Sequence, residues 1–303
     1  MQQQRPIFTS QHQLHHQDSV VTPPPPSSSV CPSPKNHTWI IYNRLGKCGS
    51  TSTTELITRK LSKMNDFKVY DSTKYGLKLP DRMDDKALMH ALEATRRGKK
   101  ALYINHVSYL GDTYDIAPDS PKPEYIQIIR EPISRVISLF YFMTVRPKDE
   151  AFESKRKILR EKAQWENPVG DLNLCVQYAK YPEMCENTNE MTKYFCGQTR
   201  ECSNSSSPAA LETAIRNMQT KYTLVGLLEE FHTTYAMLEY LLPTFFNGSS
   251  SMHIRHSNKG KSSKPNVTNE TINLLKKWNA NDIYLHKLIV DRFHKESQAC
   301  LHI

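Results

Sequence analysis

The sequence lacks several features that would assign it to other classes of protein. No apolar run approaches the ~18 residues needed to cross a bilayer, and no signal peptide is recognisable. No Cys-x-x-Cys pair occurs, and no His-x-x-x-His lies near the clustered cysteines, which disfavours zinc. No internal repeat is visible. The sequence therefore predicts no membrane-spanning segment, no bound metal and no repeat array.

The composition is that of a globular protein with an excess of positive charge. Its 303 residues, 38% of them apolar, are enough to bury the core of one large α/β domain. The formal net charge of +9 indicates an acidic partner. Nucleic acid, an anionic membrane and an acidic polysaccharide would all satisfy that charge, so it leaves the partner open.

Sequons and cysteines both favour the secretory pathway. An Asn-x-Ser/Thr sequon is an acceptor for N-glycosylation. Five sequons occur, at Asn36, Asn204, Asn247, Asn266 and Asn269. Four of the seven cysteines crowd into one stretch, as short-range disulfides in an oxidising compartment would. They are Cys175, Cys185, Cys196 and Cys202.

The first 37 residues differ in composition from the rest. They are rich in Gln, His, Ser and Pro and cannot bury enough apolar surface to order themselves. We interpret residues 1–37 as a disordered tail or stem. The folded domain is predicted over residues 38–303.

Strands and helices alternate along the predicted domain. Short apolar runs of strand length occur at 39–42, 101–104, 125–129 and 222–226. Helical patterns follow, one of them with Pro132 in its first turn, and two more close the chain around 272–278 and 283–293. The alternation predicts an α/β fold with a central parallel sheet flanked by helices.

A capping box is predicted for the first helix, formed by Ser52 and Glu55. The apolar residues of that helix recur at helical spacing. They are Leu56, Ile57, Leu61 and Met64.

The loop between the first strand and the first helix has the composition of a phosphate site. Free backbone N–H groups and the helix dipole favour an anion at such a position. Gly46 and Gly49 would let the backbone approach the anion, and Lys47 would supply charge. Hydroxyl donors would come from Ser50, Thr51 and Ser52. A plain turn with helix caps would explain the glycines and serines but not the lysine between them.

A strict Walker A motif is broken in this loop. Cys48 follows Lys47 where the motif requires Ser or Thr, and Ile41 occupies the position of its first glycine. An ordinary nucleotide kinase or NTPase is therefore disfavoured.

A second cation follows the third apolar run. Arg130 ends that strand, and Ser138 lies two turns into the next helix, so both could reach one ligand at the carboxyl edge of the sheet. Taken alone, an arginine such as Arg130 is more often a salt-bridged surface residue.

Five motifs in order resemble one family. The sequence is similar to the uronyl 2-O-sulfotransferases and heparan sulfate 2-O-sulfotransferases, which use 3′-phosphoadenosine 5′-phosphosulfate (PAPS) as sulfuryl donor. The resemblance spans about residues 39–293. The motifs are residues 42–44, 47–50, 129–132, 194–198 and 224–226.

The resemblance implies roles for the two cationic loops. Lys47 would contact the sulfuryl bridge oxygen, where a fixed ammonium stabilises charge that develops in the transition state. The loop through Ser52, including Cys48 and Gly49, would hold the 5′-phosphate. Arg130 and Ser138 would hold the 3′-phosphate.

The resemblance also implies a general base at His106. Histidine can take a proton from a sugar hydroxyl as that oxygen attacks sulfur. By itself, one histidine after a strand is more often structural. The heparan branch has a second histidine two residues earlier, where this chain has Ile104, and this difference favours the uronyl branch. Cys48 is interpreted as a small loop residue, because direct in-line transfer needs no covalent intermediate.

The same family resemblance implies roles for further residues. Disulfides are implied between Cys196 and Cys202 and between Cys175 and Cys185, and Arg44 matches a position beside the acceptor. The basic stretch 155–157 could face the acceptor, although such a charge run is usually a solvated surface. The loop 255–261 is similar to one that closes over the nucleotide. Cys31 and Cys300 have no predicted role.

These observations favour one function and leave two rivals. We expect a PAPS-dependent transfer of a sulfuryl group to the 2-hydroxyl of a uronic acid in chondroitin or dermatan sulfate. Heparan sulfate is the close alternative, and a non-catalytic glycosaminoglycan-binding protein on the same scaffold is the other. The resemblance further implies a homotrimer and a membrane-associated glycoprotein of the Golgi lumen, although the expected N-terminal anchor is absent from the sequence. No nucleic acid and no metal are expected.

Overall fold

Five parallel strands form the centre of the protein. The computed structural model describes residues 31–71, 96–111, 122–145, 171–178, 185, 188–252 and 266–302. The strand order is β2-β3-β1-β4-β5, and all four neighbouring pairs are parallel. The strands are β1 (Trp39–Asn43), β2 (Lys68–Asp71), β3 (Ala101–Asn105), β4 (Glu124–Ile129) and β5 (Tyr222–Leu227).

Helices of the described residues connect and cover these strands. The first helical segment runs through α1 (Ser50–Leu56), a π-helical turn (Ile57–Leu61) and α2 (Ser62–Met64). The middle of the chain contributes α3 (Pro132–Val145), α4 (Leu172–Tyr178), α5 (Glu190–Cys196), a 3₁₀ turn (Arg200–Ser203) and α6 (Pro208–Lys221). The last helices are α7 (Phe231–Leu241), α8 (Pro243–Phe246), α9 (Asn269–Trp278) and α10 (Ala280–Leu301).

The central strands are buried on both faces, as their continuous apolar sequences predict. Every residue of β1 and β5 is buried. A strand covered by helices on both sides gains from apolar side chains at every position, not only at alternate ones. The predicted α/β fold with a central parallel sheet is confirmed, and so is the helix that begins at Pro132.

One local prediction is wrong. The first helix begins at Ser50 with Gly49 as its N-cap, and no side chain caps it, so Ser52 and Glu55 do not form a capping box. Glu55 instead pairs with Arg59 one turn later, at 3.1 Å. Met64 lies in the helical segment, as its spacing predicts, and its side chain is 58% exposed at the end of α2.

One edge strand was not predicted. β2 (Lys68–Asp71) has an exposed first residue and only one buried residue. Its short and partly polar sequence carries neither a continuous apolar run nor an extended alternation, so periodicity could not identify it.

The segment just before β1 is joined to the folded part. Cys31 forms a disulfide with Cys300 in α10. The backbone N–H of Lys35 donates to the Leu241 carbonyl at 2.9 Å, and the Lys35 ammonium lies 3.1 Å from Glu124. The domain boundary at residue 37 stays a prediction, but residues 31–37 share covalent and polar contacts with the domain.

Candidate functional site

Polar side chains collect at the carboxyl edge of the sheet. Asn43, Asp71 and Asn105 end β1, β2 and β3, while Arg130 follows β4. In the order β2-β3-β1-β4-β5, the chain goes first to one side of β1 and then crosses to the other. Ligands of open α/β sheets bind where the strand order reverses in this way. The loop after β1 therefore occupies the position at which a ligand is expected.

The loop after β1 has an unusual backbone. Lys47 and Gly49 have positive φ angles of 67° and 72°. A left-handed conformation is ordinary for glycine but costs energy for lysine, and such residues concentrate at functional sites. At Gly49 a side chain is also excluded sterically, because a Cβ would lie 2.5 Å from the Leu228 side chain. Gly46 has open space around it, so only the second predicted glycine is required by geometry.

A buried glutamine fixes the start of this loop. The side-chain amide of Gln127 in β4 donates to the Asn43 carbonyl, and its oxygen accepts from the Leu45 N–H at 3.3 Å. The contact joins the β1 loop to β4, the strand that Arg130 follows. Sequence reasoning missed Gln127 because its partners lie more than 80 residues away.

The remaining residues of the loop differ in exposure and in the groups that they could present to a ligand. The Lys47 ammonium lies 3.8 Å from the ring centroid of Phe142 in α3. The Ser50 and Ser52 side chains are partly buried, and that of Thr51 is exposed. Cys48 is fully buried, and burial raises the pKa of its thiol to about 12. The thiol is therefore protonated at neutral pH, and only the backbone of Cys48 could face a ligand.

Arg130 stands at the other side of the predicted nucleotide site. It and Ser138 are partly buried, and Arg130 forms no ion pair within the described part of the chain. The next residue, Glu131, caps α3 by accepting from the N–H groups of Ile133 at 3.0 Å and Ser134 at 2.6 Å. Burial would raise the pKa of Glu131, but these hydrogen bonds outweigh it and lower the pKa. An ionised cap fixes the turn that carries Arg130.

His106 follows β3 and opens onto solvent. Its backbone N–H donates to the Asn105 side-chain oxygen at 2.8 Å. Although the ring is exposed, the protein around it removes enough water to lower the pKa of His106 below the ordinary histidine value, and Arg44 lowers it further. A hydrogen bond with the Arg44 backbone and the carboxylates of Glu190 and Asp71 act in the opposite direction. The imidazole is therefore largely neutral at pH 7, the form that accepts a proton.

Arg44 is not an exposed cation. Its side chain retains 10% exposure, its Nη1 donates to the Thr54 hydroxyl at 3.3 Å, and its Nη2 lies 4.0 Å from the Asp71 carboxylate. The structure therefore places Arg44 beside His106 but turns most of its guanidinium inward.

A polar cleft lies beside His106. It has a volume of about 460 Å³, within the ~300–1,000 Å³ of small-molecule sites. Its walls come from three separate stretches of the sequence. They are His106 and Ser108 after β3, Thr188, Glu190, Lys193 and Tyr194 in α5 and just before it, and residues 203–206 at the end of the 3₁₀ turn and just after it.

A buried ion pair supports the wall of this cleft. Arg135 of α3 is fully buried, and its Nη1 lies 2.6 Å from the Glu190 carboxylate. Burial disfavours the charge of Arg135, but Glu190 and the buried Asp282 outweigh it and raise the Arg135 pKa. Sequence reasoning missed all three residues, because charges on separate helices give no local signal of their pairing.

The structure also places the predicted covalent sites. It joins Cys175 with Cys185 and Cys196 with Cys202, and Cys48 is the free cysteine among the described residues. The asparagines of all five sequons are exposed. The basic stretch 155–157 and the loop 255–261 lie outside the described residues.

Two structural features are absent from the described residues. Within those ranges, no helix combines the length and apolarity that a membrane crossing requires. No group of three or more His, Cys, Asp or Glu side chains there is arranged to hold a metal ion.

Comparisons with known proteins give consistent matches. The family model described as "Sulfotransferase family" matches residues 34–288. Uronyl 2-sulfotransferase of Mus musculus is 32% identical over 228 residues, which cover 75% of this chain and 53% of that protein. Heparin sulfate O-sulfotransferase of Drosophila melanogaster is 31% identical over 277 residues, which cover 86% of this chain and 74% of that protein. Heparan sulfate 2-O-sulfotransferase 1 of Xenopus laevis is 30% identical over 215 residues, 71% of this chain and 57% of that protein.

A solved structure also matches. A sulfotransferase from Alicyclobacillus acidocaldarius aligns with a TM-score of 0.41 at 15% identity, over 86% of this chain and all of that one.

The family match covers most of the chain, including β1 with its loop, His106, Arg130 and β5. The aligned part spans only about half the length of the mouse relative, but about three quarters of the Drosophila one. The chain belongs to the sulfotransferase family.

Proposed function

We propose that the protein transfers a sulfuryl group from PAPS to the 2-hydroxyl of a uronic acid in chondroitin or dermatan sulfate. One observation carries the proposal: a strained cationic loop, a second cation and a neutral histidine meet at one edge of a parallel sheet. A phosphate-binding region and a proton acceptor are the two groups of residues that such a transfer requires.

The donor would lie across the β1 and β4 loops. The backbone of residues 46–52 and the hydroxyls of Ser50, Thr51 and Ser52 would hold its 5′-phosphate, as in other loops that precede a helix. Arg130 and Ser138 would hold its 3′-phosphate. This fit is supported by Arg130, which has no ion pair within the described residues, and by the left-handed backbone at Lys47 and Gly49.

Lys47 would act on the departing phosphate oxygen. Negative charge grows on that oxygen as the bond to sulfur breaks, so an ammonium held nearby stabilises the transition state more than the ground state. The contact of the Lys47 ammonium with Phe142 supports this role, because it limits the positions open to a flexible side chain.

His106 would take the proton from the acceptor hydroxyl as the oxygen attacks sulfur. The lowered pKa keeps its imidazole unprotonated at neutral pH. Arg44 would act on His106, whose pKa it lowers, more than on the acceptor directly, because its guanidinium is mostly buried and lies 4.0 Å from the Asp71 carboxylate. Its backbone contact with His106 would orient the ring.

The acceptor is proposed from the names of the relatives. Uronyl 2-sulfotransferase supports a uronic acid 2-hydroxyl. The Drosophila relative, whose name specifies heparin sulfate, aligns over more of both chains and keeps heparan sulfate as a second candidate. Ile104, fully buried in β3, occupies the position of the second histidine of the heparan branch and favours the uronyl candidate.

Compartment and assembly remain proposals of the same kind. A luminal Golgi enzyme would explain three disulfides and five exposed sequon asparagines. A homotrimer rests on the family resemblance alone.

The test is transfer from radiolabelled PAPS to native and desulfated dermatan, chondroitin and heparan chains. We expect dermatan or chondroitin to be labelled best, with disaccharide analysis placing the sulfate on the uronic acid 2-oxygen. Label confined to N-sulfated heparan would select the second candidate. Label on the hexosamine, or binding without any transfer, would refute the proposed function.

A further inference from the structure

Charged side chains line the cleft beside His106, and the structure defines the ion pairs that they form. Its titratable groups are Glu190, Lys193, His106 and Tyr194, and burial raises the pKa of Tyr194, so that its phenol is neutral. An unpaired carboxylate in this position would repel an acidic polysaccharide. Glu190 is not unpaired, because it accepts a hydrogen bond from the buried guanidinium of Arg135 at 2.6 Å. Its charge is therefore largely compensated from inside the protein.

Lys193 is the other charged residue of the cleft. Its side chain is exposed, and it forms no ion pair within the part of the chain that the structure describes. Glu190 and Lys193 are three residues apart on α5, so their side chains lie on the same face of the helix. With Glu190 compensated, the cleft presents one ammonium to whatever enters it.

The helix that carries Lys193 is held firmly. The buried carboxylate of Asp282 accepts from the N–H groups of Met191 at 2.9 Å and Thr192 at 2.7 Å. The Tyr109 N–H donates to the Tyr194 carbonyl at 2.7 Å and so ties α5 to the segment that carries His106 and Ser108. The position of Lys193 relative to His106 is thus set by backbone contacts.

The opposite wall of the cleft is fixed as well. The Asn189 side chain donates to the Ser206 hydroxyl at 2.9 Å, and the Ser205 hydroxyl donates to the Thr188 carbonyl at 3.1 Å. The disulfide between Cys196 and Cys202 closes the turn that leads into this wall. Hydroxyl and amide groups in a fixed frame suit a sugar ring, which offers many hydroxyls and little apolar surface.

We propose that this cleft is a subsite for one acidic sugar of the acceptor, and that Lys193 is the residue that recognises its anionic group. The subsite rests on the proposed function, since it takes the ring that presents its hydroxyl to His106 or the ring next to it. The anionic group is a carboxylate or a sulfate ester, which share the chemistry that an ammonium binds. Lys193 would then determine which acceptors are used efficiently, without taking part in the proton transfer.

The test compares three variants with the parent protein. Lys193→Gln removes the charge, and Lys193→Arg keeps it. Lys63→Gln removes an exposed lysine at the end of α2, shortly before β2 begins. We expect Lys193→Gln to raise the acceptor KM about threefold to tenfold with little change in kcat, as for one partly exposed charge contact. Lys193→Arg should restore most of the affinity, and Lys63→Gln should behave as the parent does.

Modified acceptors identify the anionic group. If Lys193 binds the carboxylate, the difference between parent and Lys193→Gln vanishes with a carboxyl-reduced chain and persists with a desulfated one. If Lys193 binds a sulfate ester, the pattern reverses. Either result supports the subsite.

Two other outcomes separate the two proposals. An active parent with an unchanged KM in Lys193→Gln, or an equal rise in Lys63→Gln, would overturn the subsite and leave the proposed function standing. A folded parent protein that transfers sulfate to no polysaccharide would refute the proposed function, and the subsite with it.

Discussion

The proposed donor and acceptor sides of the carboxyl edge of the sheet differ in how their charged side chains are paired. On the proposed donor side, Lys47 and Arg130 sit on tight loops after neighbouring strands, and the described residues give Arg130 no counter-ion. On the acceptor side, the Glu190 charge is compensated by Arg135 and the Arg44 charge by Asp71. A nucleotide donor carries a fixed set of phosphates, so cations held at the surface of the loops serve it. A proton acceptor requires a controlled local field, which compensated pairs provide.

The comparison predicts that the acceptor side controls proton transfer and the donor side controls nucleotide affinity. The largest effect is expected for His106→Ala. Loss of a general base should lower kcat by about 10²-fold or more, while the affinity for the desulfated nucleotide stays near that of the parent. Steady-state kinetics and calorimetric titration with 3′-phosphoadenosine 5′-phosphate measure the two quantities. A variant that keeps more than about a tenth of kcat would show that His106 is not the base.

The donor side is tested by the pair Arg130→Ala and Lys47→Ala. Arg130→Ala should weaken nucleotide binding about tenfold to a hundredfold, the equivalent of ~1.5–3 kcal/mol for hydrogen bonds to a charged group. Lys47→Ala should lower kcat more than affinity, because its charge acts on the departing oxygen. Arg59→Ala is the matched control, since Arg59 is exposed and pairs only with Glu55 among the described residues. Equal affinities in Arg130→Ala and Arg59→Ala would remove Arg130 from the nucleotide site.

The donor side was also the more predictable from sequence. Its residues belong to two contiguous stretches, and each follows a buried strand that periodicity identifies, so Lys47, Arg130 and the glycine-bearing turn could be found locally. The acceptor side is assembled from β3, α5 and the turn after Cys202, and its charges are set by Arg135 and Asp282 on other helices. Pairing between distant segments leaves no periodic signal. Only His106 and Arg44 were predicted there, and both predictions came from the family pattern.

The pH dependence of kcat/KM tests whether the compensated charges set the state of His106. Protonated imidazole cannot accept a proton, so activity should rise with pH as His106 loses its proton. Because the pKa of His106 is lowered by desolvation and by Arg44, the midpoint of this rise should lie below the ordinary value of about 6.5. Glu190 and Asp71 raise the pKa, so Glu190→Gln should move the midpoint to lower pH. A midpoint above 6.5, or a shift to higher pH in a folded Glu190→Gln variant, would contradict this account.

The disulfide between Cys31 and Cys300 should affect stability without changing either side. It links the segment before β1 to α10 across 269 residues of sequence, and neither cysteine lines the cleft. Replacing both cysteines by serine should lower the free energy of unfolding by about 2–4 kcal/mol, mainly by freeing the unfolded chain. Denaturant unfolding measures the loss. KM and kcat of the folded variant should match those of the parent. A selective loss of acceptor affinity would show that the segments joined by this disulfide also support the cleft.

The smallest effect is expected at Asn204, where the sequon forms part of the cleft wall. Its exposed side chain accepts a hydrogen bond from the Ser206 N–H at 3.1 Å, so a glycan attached there would compete with the acceptor for the same space. In protein made without glycosylation, Asn204→Gln should change KM by no more than about twofold, as exposed substitutions do. In protein from a secretory host, Asn204→Gln should lower the acceptor KM to the extent that mass spectrometry finds Asn204 occupied in the parent. Asn247→Gln is the matched control. The Asn247 carbonyl accepts a hydrogen bond from the side chain of Asn65, just after α2, and Asn247 does not line the cleft. An occupied Asn204 with an unchanged KM would show that the acceptor does not pass along this wall.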